Sequence, residues 1–171
     1  MSTKGQTWFA DLLIATFIFA GVLLLYIKAT SNFSDKDDRK LDEIKMESAF
    51  ISESLIGAGY PRGWNQANVQ KIGITDGDYK VNTTKAIQAA AINYTELKVL
   101  FGTRNDFFAF FEDKHGNVQN IGQCGIGNLN ITNITLDLCE NVTVNARFIS
   151  KSERLVFKDK SLKLVVYSWS K

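Results

Sequence analysis

The chain has 171 residues, room for one small domain plus an N-terminal element, and that length excludes a multidomain enzyme. Twenty Lys and Arg against eighteen Asp and Glu leave a formal charge of +2, with the two signs interspersed. Such a balance gives no electrostatic case for nucleic acid or an acidic substrate as partner.

A dense apolar block comes first. Residues 12–27 carry no charge, and 8–27 form one run when Asp11 is included. As a helix rising about 1.5 Å per residue, that run matches a hydrocarbon core of about 30 Å. A cleavable secretory signal would want a shorter apolar centre followed by small residues in an A-x-A-like pattern, and Ala29-Thr30-Ser31 imitates that poorly. An acid deep in lipid costs on the order of 3 kcal/mol, less near the surface. Asp11 stands at the front of the run, in the first turn of the expected helix, where the helix dipole favours an acid.

After Lys28 a polar stretch leads into a second pattern. Leu41, Ile44, Ser48, Ile51 and Leu55 recur at helical spacing, with Phe50 and Ile56 beside them, which predicts an amphipathic helix over 35–55. Gly57 and Gly59 supply stop signals, and Pro61, the only proline, confirms the break. The N-terminal third therefore reads as one long helix or two in series, apolar all round in its first half and one-sided in its second.

Residues 61–82 read as loop with short extended pieces, turning at Asp76-Gly77-Asp78. The acids there lack the number and spacing of a calcium loop, so no metal site is expected. Residues 83–91 and 95–101 read as short helices, the second closed by Gly102. "DFFAFFED", the turn "KHGN" and "VQNIGQC" suggest a hairpin, while "VTVNARFIS", "ERLVF" and "LKLVVYSWS" supply further strands, with "KDKS" turning the last pair. Phe107, Phe108, Phe110 and Phe111 around Ala109 make both faces of that strand apolar and place it centrally. In the last strand Leu162, Leu164 and Val166 point one way while Val165, Tyr167 and Trp169 point the other, so alternation alone does not choose a core face. The expected fold class is α+β, a long N-terminal helix packed on a small antiparallel β-sheet head.

Lys4-Gly5-Gln6, an acid at Asp11 and the unbroken apolar run resemble the class III signal peptide of archaeal type IV pilin-like proteins. A second block, 59–85, is similar to one in euryarchaeal members, with Gly-x-Pro, a Trp soon after, Val-x-x-Ile-Gly and an Asn before a Lys. The resemblance implies that a prepilin peptidase reads Gly5 and Gln6 and cuts between them, leaving the helix in the mature chain. It implies that Asp11 registers the helix against the new N-terminus of a neighbour, since an acid in a packed helical core needs a cationic partner. The family acid is usually a glutamate four residues after that glutamine, whereas Asp11 lies five after Gln6. The implied organisation is a leader over 1–5, a membrane and filament-core helix over 6–28, an amphipathic stem over 29–57 and an extracytoplasmic head over 58–171. The implied product is a minor pilin or pseudopilin, a structural subunit of a cell-surface filament. Its partners would be the peptidase, the membrane and other pilin-like subunits.

Cys124 and Cys139 lie fifteen residues apart. They read either as two free core thiols or as a bridge, which would stabilise the fold by about 3 kcal/mol and place the head outside the cytoplasm. Asn32, Asn82, Asn93, Asn130, Asn133 and Asn141 each open an N-x-[ST] sequon, against about two expected by chance, and favour an extracytoplasmic, glycosylated head. The excess of Lys and Arg after the run argues the opposite orientation, but long domains translocate largely regardless of charge. A simple uncleaved anchor carrying a surface binding domain is the alternative reading. Catalysis is not expected: the one histidine, His115, sits in a turn beside Asp113 and Lys114, no nucleophile or phosphate-loop motif occurs, and no cofactor is implied. Trp64 and Trp169 read as packing residues rather than ligand platforms.

Overall fold

The structure, a computed structural model, describes residues 4–122, 124–128 and 146–170. Its first element, α1, is one helix over Lys4–Leu55, so the polar stretch after Lys28 does not interrupt it. Between Gly21 and Gly57 the chain contains neither Gly nor Pro, and nothing there stops a helix once begun. The chain divides into two compact units, Met1–Lys40 and Leu41–Lys171.

The second unit is α+β, as expected. Its helical part is the end of α1 with α2 (Thr83–Ala91) and α3 (Tyr94–Phe101). Asn82 caps α2 by accepting from the Lys85 amide, and Asn93 caps α3 by accepting from the Thr95 amide. Gly102, left-handed at φ 63°, ends α3 where the sequence places the stop. The sheet comprises β1 (Asp106–Glu112), β2 (Val118–Gln119), β3 (Ile126–Gly127), β4 (Phe148–Phe157) and β5 (Ser161–Ser170). The pairings between these strands are antiparallel; β1 is central, β5 lies along one side of it and β4 lies outside β5.

Two strand expectations change. The return of the hairpin is not one strand, because β2 and β3 share one side of β1 and the chain leaves that edge between them, turning through Gly122 at φ 89°. "FIS" and "ERLVF" are not separate strands: β4 runs through both, while residues 141–145 lie outside the described residues.

Both faces of the sheet are covered. On one, Ile51 and Leu55 of α1 meet Phe107, Ala109 and Phe111 of β1 and Leu162, Leu164 and Val166 of β5. On the other, Phe108, Phe110, Val165 and Trp169 form a smaller cluster, with Phe110 stacked on Tyr167. Each such Phe or Leu contributes about 2 kcal/mol by burial. Phe50, placed near the core by its hydrophobicity, is 58% exposed. One residue from Ile51 is a rotation of about 100°, enough to carry it off the core face. Where α1 crosses β4 the contact is polar: Ser48 and Ser150 are 3.0 Å apart through their hydroxyls, and Ser52 and Ser152 are 2.9 Å apart.

The end of α1 is held by residues 57–85. The Ile74 amide donates to Leu55 O at 2.8 Å, and the Thr75 hydroxyl donates to Ile56 O at 2.6 Å, satisfying carbonyls that a helix end leaves bare. Trp64, 2% exposed, lies under the turn and donates its indole N–H to Gly73 O at 2.9 Å. Lys85, nearly buried, sends its ammonium to Ala58 O at 3.0 Å and Thr75 O at 2.9 Å, with Asp76 at 3.4 Å.

Candidate functional site

The candidate site is the apolar part of α1, Trp8–Thr30, a span of 23 residues with mean hydropathy 2.3 and none of it buried within the chain. At about 1.5 Å per residue it is about 34 Å long, enough for a hydrocarbon core of about 30 Å. Its large apolar side chains point outward on every side, Phe17, Phe19, Leu24 and Leu25 among them. A helix apolar all round is covered by lipid or by other helices.

The few polar groups of the span fit the same setting. Thr16 donates its hydroxyl to Leu12 O at 2.8 Å, and Thr30 donates to Tyr26 O and Ile27 O at 3.0 Å each. These two threonine hydroxyls are satisfied within the helix itself, as a polar group facing lipid must be. Trp8 and Tyr26, eighteen positions apart, stand about 27 Å apart along the axis, the spacing of aromatic residues at two membrane surfaces. Asp11 lies less than one turn inside Trp8, exposed, with no hydrogen-bond or ion-pair partner among the described residues.

The other sequence-derived positions are scattered. Gly5 and Gln6 belong to the first turn of α1, and Asn32 lies inside the same helix. Asn82 is committed on both ends of its amide: Oδ1 caps α2 and Nδ2 donates to the two Asp76 carboxylate oxygens at 3.0 and 3.3 Å. That bond, followed by Lys85, holds the Asp76 carboxyl below its ordinary range, partial burial working the other way. Asn93 Oδ1 serves as a cap, its amide nitrogen has no partner among the described residues, and the side chain is exposed. Asn130, Asn133, Asn141 and Cys139 lie outside the described residues. Cys124 is buried beside β3, and no free cysteine occurs among the described residues.

Among the described residues of the head, polar groups are engaged in turns and caps. His115 is exposed in the β1–β2 turn, where Asp113 accepts from the His115 and Asn117 amides at 2.8 and 3.0 Å. A cleft of about 370 Å³ between α1 and α3 is walled by Met46, Phe50 and Phe101. Its one carboxylate, Glu47, already accepts from Thr103 at 2.6 Å and Asn105 at 2.8 Å. Among the described residues no three His, Cys, Asp or Glu side chains come together as metal ligands.

The residues that sequence reasoning missed are those of the α1 clamp, Thr75 and Lys85. The only trace of Lys85 in the sequence was its place at the end of the 59–85 block. Fold and site together define a small α+β head on a helix whose N-terminal part is long and apolar enough to span a membrane. No protein-family model, curated protein or solved structure matches the chain.

Proposed function

We propose that this chain is a structural subunit, a minor pilin or pseudopilin of the archaeal type IV pilus-like class, rooted in the membrane by residues 6–28 and presenting its head outside the cytoplasm. One observation carries the reading: a single helix is exposed and apolar over Trp8–Thr30 while its C-terminal end is built into the core of a folded head. In this reading a prepilin peptidase cuts between Gly5 and Gln6, the freed helix packs with those of other pilin-like subunits, and Asp11 pairs with a neighbour's new α-amino group. Cys124 is bridged to Cys139, and the head is a glycoprotein, for which exposed Asn93 is a better acceptor than the committed Asn82. The head acts as an interaction surface, with no catalytic role.

The test is the N-terminal residue of the protein taken from its native membrane, by intact mass and terminal peptide sequencing. A chain that begins at Gln6, and that keeps its leader when Gly5→Trp is introduced, supports the reading. A chain retaining Lys4 and Gly5 in the native protein defeats it. That outcome would favour a plain membrane anchor for a surface binding domain, a reading supported by the helical conformation of the Lys4–Gln6 backbone.

A further inference from the structure

The last strand position of the sheet is β4, paired on its inner side only with β5. The one place where its outer side is covered tells which groups face outward. Phe157 donates its amide to Tyr79 O at 2.9 Å and accepts from the Val81 amide at 2.7 Å. Period two along the strand then aims the N–H and C=O groups of Ile149, Lys151, Glu153 and Leu155 the same way. None of these has a backbone partner on that side among the described residues. Their side chains lie on the sheet face away from α1, opposite Trp169, Tyr167, Val165 and Lys163 of β5, and Leu155 is 57% exposed. An edge of this length that no described residue covers accepts another strand unless its side chains forbid it.

We propose that two copies of this chain pair antiparallel along β4, about a two-fold axis through Ser152. The order of residues is complementary to itself about that point. Ile149 falls opposite Leu155 of the second copy, and Lys151 opposite Glu153 of the second copy, with the reciprocal pairs generated by symmetry. Each is a pair whose backbone groups face one another and exchange both N–H···O=C bonds. Each also joins apolar to apolar or cation to anion, the favourable cross-strand combinations. An axis through Lys151 or through Glu153 would set like charges opposite each other. Lysine on an edge ordinarily blocks strand addition; alternating with Glu153, it blocks the neighbouring registers and leaves this one.

The symmetry also sets the direction of the chains. Residues 41–55 run the same way as β4, Ser48 on Ser150 and Ser52 on Ser152, so the two-fold axis reverses them between copies.

The experiment measures the mass of the full chain in detergent by analytical ultracentrifugation, with circular dichroism showing that each variant is folded. The unsubstituted chain is expected to form a dimer, and Lys151→Glu or Glu153→Lys alone to weaken it at least about tenfold, a loss of about 1.4 kcal/mol. Mixing the two single variants restores the dimer, because each supplies the charge the other lacks. Monomers for the unsubstituted chain, equal dimerisation by the single variants, or no recovery on mixing overturns the pairing.

Discussion

Gly73→Ala tests how the end of α1 is held. A Cβ added at Gly73 would stand 2.3 Å from both Gly57 O and Gly59 N. These are backbone atoms that no rotamer change can move, and ordinary contact would require the two segments to separate by roughly 1 Å. Such a shift stretches the bonds from the Ile74 amide to Leu55 O (2.8 Å), from the Thr75 amide to Gly57 O (3.1 Å) and from the Trp64 indole to Gly73 O (2.9 Å) toward or past the bonding limit. At about 1 kcal/mol for each bond weakened in a buried setting, the expected loss is about 3 kcal/mol. For a unit of this size that is a fall in Tm of about 10 °C. Gly63→Ala is the internal control, since a Cβ there meets nothing within 4 Å, and it is expected to leave Tm unchanged or raise it slightly. The assay is thermal unfolding of the full chain in detergent, followed by near-ultraviolet circular dichroism, to which buried Trp64 contributes. A Gly73→Ala melt within about 2 °C of the parent, against the 10 °C expected, would show that the close approach of these backbones does not constrain the head.

Thr75→Val keeps the shape but removes the hydroxyl that serves Ile56 O and Gly57 O at 2.6 and 3.1 Å; a loss of about 2 kcal/mol in denaturant unfolding is expected. Tyr94→Phe deletes the donor to Asp106 at 2.8 Å and should cost about 1 kcal/mol. Burial and the Asp106 carboxylate raise the Tyr94 phenol well above the ordinary tyrosine range. Its contribution is therefore whole below the ordinary value and is lost as pH rises through the raised one, so alkaline melts of the variant should fall less steeply than those of the parent. Asp76 shows the opposite sign: the Asn82 bond and then Lys85 depress its carboxyl below 3.8. Its stabilisation is complete above that value and disappears as pH falls through the lower folded one, so Asp76→Asn should flatten the acid limb of a Tm profile. Within the glycoprotein reading, Asn93→Gln is expected to remove one glycan from the intact mass. Asn82→Gln is expected to leave the mass pattern otherwise intact and cost about 1 kcal/mol through the lost cap.

Much of the head was legible because local chemistry and tertiary need agree there. Gly102 after the second short helix marks an end that the structure keeps. The two-sided run Phe107 to Phe111 could only be a central strand, and it is. The continuity of β4 was hidden for a physical reason: its inward row carries Ser150 and Ser152, which are buried by pairing with Ser48 and Ser52 and not by being apolar. A polar residue on a buried row erases the alternation by which a strand is read. Lys85 was illegible for a related reason, since its burial rests on carbonyls at Ala58 and Thr75 that only the folded chain brings together. Phe50 erred in the other direction, an apolar residue on a face the head leaves open.

The block 59–85 that carries part of the family resemblance is occupied with holding a helix to a sheet. Gly59, Trp64, Gly73, Asn82 and Lys85 each have a partner within that attachment. A chain could keep all of them while changing whatever its head meets, so the block describes an attachment and leaves activity open. The functional commitment lies in 8–30, and magnitudes decide it. From Trp8 to Ile27 fourteen large apolar side chains stand exposed. At about 1.5 to 2 kcal/mol for each one kept in water, the cost is roughly 20 to 30 kcal/mol. That exceeds the whole stability of a typical folded domain, about 5 to 15 kcal/mol. No rearrangement of the head could offset it, because the head's core is already filled by α1 residues from Ile44 onward. The apolar half must be covered by something other than its own head, and lipid and copies of the same helix are the two coverings that an all-round apolar surface accepts.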